Sequence, residues 1–166
     1  MKRFCLALCA LLLIMTACSS NETEEIIGLN LSGGNIVTAT DTHGGFHGDG
    51  NSYTAVSIED DSALAEIQAN PAWRELPLSE TLTALVYGVE TRTADSVTSV
   101  GPYLTGEDGS PLFPQIENGY WYFEDRHADS TDPQDDSNVL KRPSFNLTVA
   151  LYDIDANMLH VCKFDT

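Results

Sequence analysis

Positive charge is scarce in this chain. Eight Lys and Arg stand against 25 Asp and Glu, a formal net charge of −17 with histidine neutral. Such a surface repels nucleic-acid phosphates and anionic head groups, which argues against a nucleic-acid partner and leaves cationic or metal partners open. Cysteine is nearly as rare, with four residues at positions 5, 9, 18 and 162. Long apolar runs are missing too: the longest, from Phe4 to Met15, is about a dozen residues, short of the roughly twenty a spanning helix needs. No repeat at a fixed period is present.

That one apolar run has the length of a signal-peptide core, and Lys2 and Arg3 before it favour retention of that end on the cytoplasmic side. It closes in Met15-Thr16-Ala17-Cys18, where small residues give a peptidase access to the bond before the cysteine. The order of basic residues, apolar core, small residues and cysteine resembles the lipobox signal of bacterial lipoproteins, with Met15 where Leu is commonest. The resemblance covers residues 1–18 and implies that the cysteine thiol is diacylglycerylated, that residues 1–17 are removed, and that Cys18 becomes a lipidated N-terminus. The anchor would hold the protein to the membrane on its extracytoplasmic side, since each buried methylene adds about 0.8 kcal/mol. Loss of Lys2 and Arg3 leaves six cationic side chains against 25 acids, a net charge near −19. Cys162 would then be the one free thiol, so packing rather than an intramolecular disulfide must stabilise the mature domain.

Residues 18–25 hold the lipidated cysteine and a polar, acidic tether; residues 26–166 are long enough for one domain with a core. Ile27, Leu29 and Leu31 alternate with polar or small residues as a short edge strand would. Asn35–Thr40 and Tyr53–Ile58 read as two strands joined by a long loop. Asp60-Asp61-Ser62 opens a short helix that Asn70-Pro71 must end. Ser79 caps a second, in which Leu82, Leu85, Val86 and Val89 form one apolar face. Residues 92–119 are broken by glycine and proline into loops with room for one strand. Tyr120–Phe123 is an aromatic strand. Phe145, Leu147, Val149 and Leu151 alternate in a further strand that Asp153–Asn157 turns back into Met158–Phe164, and this hairpin is expected at the centre of the sheet. The fold expected is α+β: an antiparallel sheet with two short helices on one face.

One stretch concentrates ligand-type side chains: Asp41, His43, His47 and Asp49 among four glycines between positions 41 and 50. Two imidazoles and a carboxylate suit zinc or another divalent metal; the plainer alternative is a glycine-shaped hairpin loop whose polar groups bond the local backbone. The same stretch, with Phe123-Glu124-Asp125-Arg126-His127 and the final hairpin, is similar to small uncharacterised lipoproteins of Gram-positive bacteria, a resemblance that implies no activity. The glycines lack the Gly-Lys-Ser/Thr of a phosphate loop. Asp153–Asn157 copies the opening of an EF-hand, but Met158 replaces the required glycine and Phe164 the bidentate acid, so it is read as a turn. The acidic loop Asp125–Asp136, with His127, is oxygen-rich enough to bind calcium weakly, but its irregular spacing favours solvated surface. No Gly-x-Ser-x-Gly elbow occurs, and Cys162 reads as core. Two functions therefore stand open: a lipid-anchored binding or interaction domain, or a metal-dependent enzyme or metal-binding protein using the 41–50 loop.

Overall fold

The structure, a computed structural model, describes residues 27–31, 33–44, 48–127 and 130–166. The segments expected to be signal and tether, and His47, lie outside the described residues. Its elements in order are β1 (Gly34–Asp41), β2 (Gly50–Ile58), α1 (Ser62–Ala69), β3 (Trp73–Glu75), α2 (Glu80–Val86), β4 (Val89–Arg92), β5 (Val97–Val100), β6 (Gly119–Asp125), a 3-10 turn (Val139–Lys141), β7 (Asn146–Asp153) and β8 (Met158–Asp165). Six strands form one antiparallel sheet in the order β1-β2-β8-β7-β6-β3, and β4 and β5 pair separately. The fold is thus the α+β class expected, with the final hairpin at the centre of the sheet. Among the described residues no helix is long and apolar enough to cross a membrane.

The central strands are apolar on both faces, and this decides where the helices go. In β7, Leu147, Val149 and Leu151 point one way and Thr148, Ala150 and Tyr152 the other, and all six are buried. Each face then needs its own cover. On one face α2 packs Leu82, Leu85 and Val86 against Trp121, Phe123, Val149 and Cys162, with Leu104, Phe113 and Val139 from loops. On the other, Ala63 and Ile67 of α1 join Ile27, Leu29 and Leu31 over Val56, Ala150, Tyr152 and Val161. The helices therefore lie on opposite faces rather than together on one, because alternation in β7 and β8 hides a second apolar face that reads as merely small or aromatic in sequence.

Ile27, Leu29 and Leu31 do not pair as a strand. They are buried under the sheet's α1 face: the Trp73 indole donates to Ile27 O at 3.2 Å, and Gly34 N–H turns back to Leu31 O at 2.8 Å. Val89 likewise leaves the second helix. Gly88 ends it at φ +77°, donating to Thr83 O and Ala84 O, and a Cβ there would stand 2.7 Å from Pro102. A side chain at that position meets both steric penalties. Beyond it the chain forms the β4–β5 hairpin, every residue of which is exposed.

Candidate functional site

The sheet's α1 face changes character along the strands. One cross-strand row reads Ala39, Thr54, Val161, Ala150, Tyr122, Trp73. The next on the same face reads Asp41, Ser52, Lys163, Thr148, Glu124. Opposed residues of antiparallel strands share a face, so five strands end in a polar row carrying charges of both signs. Beyond it Asp165 pairs with Asn146, whose carbonyl accepts from Arg126 N–H at 2.7 Å. The apolar half is roofed by α1 and by Ile27–Leu31; the polar half is knit together by its own side chains.

His43 is the centre of that network. Its Nδ1 lies 2.7 Å from Asp41 Oδ1, and its Nε2 3.1 Å from Asp165 Oδ2. The other oxygen of Asp165 accepts from Arg126 at 2.8 Å, and the same guanidinium reaches Thr148 Oγ1 at 3.0 Å and Leu147 O at 3.1 Å. The Asp41 carboxyl is held below its ordinary range chiefly by the backbone N–H of His43, then by its ring. A neutral imidazole donates to one carboxylate only; both contacts are hydrogen bonds together only with both nitrogens protonated. A neutral ring's remaining lone pair faces the second carboxylate, so a metal ion would have to come between His43 and that carboxylate to reach it.

Of the four residues from the glycine-rich loop, the structure brings together Asp41 and His43. Asp49 is exposed, and His47 lies outside the described residues. Asp165 and Arg126 are the partners sequence reasoning missed. Strand alternation from Val161 through Lys163 puts Asp165 on this face, but nothing in the sequence gives the register that aligns β8 with the β1–β2 loop. Among the described residues no three His, Cys, Asp or Glu side chains are placed to hold a metal ion.

The acidic side chains have a common local use. Asp41, Asp60, Asp108, Asp125, Asp132, Asp135 and Asp153 each accept a hydrogen bond from the backbone N–H two residues on. These are Asx turns, the chemistry that suits aspartate to loops. Asp153 also accepts from Ala156 N–H at 3.0 Å, so the segment that begins like an EF-hand is a turn. Seven of the 25 acids thus shape local turns, and the loop expected to be solvated surface is organised this way. Its first acid, Asp125, is buried against Arg142.

A second polar group lies in the core under α2. Tyr53 Oη stands 2.7 Å from Nδ1 of buried His160, and the rings stack with centroids 6.1 Å apart. Burial pushes Tyr53 up to about 12 and the Cys162 thiol up to about 12, and lowers His160 below 6.5. The phenol therefore donates to a neutral imidazole and the thiol stays protonated, an arrangement without a nucleophile. Above pH 6.5 His160 is neutral folded and unfolded; below it the unfolded chain takes the proton first, so stability drains from about 6.5 down to the folded value. His160→Phe should lower the melting temperature at neutral pH, because Tyr53 loses its acceptor. It should also flatten the decline between pH 7 and 5. A parent and variant falling in parallel through that window would show that His160 is not held neutral.

No family model, curated protein or solved structure matches the chain.

Proposed function

We propose that this chain is a lipid-anchored extracytoplasmic protein, held through Cys18, whose folded domain is a binding or interaction module. The observation that carries the reading is the order Lys2-Arg3, apolar core, Met15-Thr16-Ala17-Cys18 within the first eighteen positions. The folded part fits a short leash. Ile27 is already buried in the core, and the eight residues between it and Cys18 span at most about 28 Å when extended. The domain would therefore work close to the bilayer, its net negative charge keeping it off anionic head groups. The interaction reading is favoured over metal-dependent chemistry because both ring nitrogens of His43 lie against carboxylates and because His160 and Cys162 are buried and neutral.

Replacement of Cys18 by alanine is expected to abolish incorporation of labelled fatty acid and leave the precursor uncleaved, since the thiol is the acceptor at the cleavage site. Mass spectrometry of the mature N-terminus and fatty-acid labelling of the variant check this. Labelling that persists in Cys18→Ala rules the anchor out.

A further inference from the structure

The two edges of the main sheet are finished differently. At one, β3 has three residues and runs into Leu76-Pro77, the short and proline-blunted kind of edge that resists pairing. At the other, β1 has eight residues, and no described strand pairs with its outer side. From Val37 to Asp41 its residues are exposed, Val37 at 60 %. Beyond a bulge between Ile36 and Thr38 its register with β2 is regular as far as Asp41. Thr42 N–H turns inward to Asn51 O at 2.8 Å, so by alternation the backbone groups of Asp41 and Ala39 turn outward, away from β2 and from every other described strand.

We propose that this edge binds a second copy of the same chain, β1 running antiparallel to its counterpart about a two-fold axis at Ala39. Three features single out that partner. In a chain with 25 acids, no carboxylate lies between Glu25 and Asp41, so β1 is neutral from Gly34 to Thr40, a stripe without charge on an acidic molecule. Centred on Ala39, the pairing sets Thr38 against Thr40 and Asp41 against Val37, and no carboxylate opposes another. The third feature is directional. A two-fold relating antiparallel edge strands is normal to the sheet, so it keeps each face on its own side. Ile27–Leu31 of both copies then lie on one common face, that of α1, and both N-termini leave from the same side, as two chains anchored in one membrane require. This last feature rests on the anchored reading; confinement to one membrane would also raise the effective concentration of the pair toward millimolar.

The test uses the full-length protein in its own membranes. Opposed residues of a hydrogen-bonded pair have Cα atoms about 5.5 Å apart, within disulfide range. Ala39→Cys should therefore oxidise to a disulfide dimer about tenfold or more faster than Val97→Cys, an exposed control on β5, in line with a raised local concentration. Ala39→Pro removes one outward donor at a position where an edge tolerates proline; it should keep the parent's melt yet sediment in mild detergent as a monomer where the parent sediments as a dimer. Equal oxidation of the two cysteine variants, or a monomeric parent, overturns the proposal. Fatty-acid labelling in the same preparations separates the two readings. A labelled chain that does not cross-link at Ala39 sinks the edge pairing alone, and an unlabelled chain that does cross-link sinks the anchor alone.

Discussion

Val149→Asp should leave the domain without a cooperative thermal transition, or so destabilised that it does not accumulate. Val149 is 1 % exposed, opposite Phe123 on one neighbour and Cys162 on the other. Removing a large buried apolar side chain costs about 2–5 kcal/mol, and an aspartate there adds a carboxylate with no cation in the cluster to meet it. Few domains have more than about 5–15 kcal/mol to lose. Val97→Asp is the matched control: the same change at an exposed position of the separate β4–β5 hairpin should stay within about 0.5 kcal/mol. Melts followed by circular dichroism decide it. A Val149→Asp protein that unfolds like Val97→Asp would place β7 outside the core.

The reasons that β7 and β8 were readable in sequence are the reasons this test is sharp. Phe145 through Leu151 alternate cleanly, and Asp153–Asn157 carries the turn chemistry, so strand, turn and return strand are all local signals. Ser79 was equally legible: its hydroxyl accepts from Leu82 N–H at 3.0 Å. What the sequence concealed is non-local. Trp73–Glu75 is a strand only because β6 offers its edge to a three-residue segment, too short for any period to show. Ile27–Leu31 alternate as a strand does, yet they are buried by packing across the sheet rather than by pairing. In the candidate site, Asp41 and His43 were named from their spacing, whereas Asp165 and Arg126 reach them through register alone. Alternation tells which face a side chain takes; register tells which row, and register is set by pairing.

Arg142→Met should cost about 3–5 kcal/mol, the usual consequence of leaving one member of a buried ion pair uncompensated. Asp125, 6 % exposed at the end of β6, receives both terminal nitrogens of Arg142, at 2.8 and 2.9 Å. Burial alone would raise the Asp125 carboxyl; the Arg142 hydrogen bonds, the His127 N–H and the Ser130 hydroxyl outweigh it and hold the group below 3.8. The bridge closes a long connection, since Arg142 N–H also bonds Val139 O at 3.2 Å and Val139 is a buried part of the core under α2. Losing the cation should therefore loosen the 126–145 segment as well as the pair, seen as faster amide exchange there than in β8. The pair need not be worth its burial, however: Arg142 Nε has no partner among the described residues, and apolar replacements of buried ion pairs are often neutral or better. Asp125→Leu combined with Arg142→Met should accordingly recover much of what Arg142→Met loses, a coupling that a double-mutant cycle reads directly. The sign with pH follows from the lowered carboxyl. Its stabilisation is complete above about 3.8 and is lost as pH falls through the folded value, so the parent should show a steeper acid limb below 3.8 than the double variant. Additive single and double substitutions, or parallel acid limbs, would show that Asp125 and Arg142 are not energetically coupled.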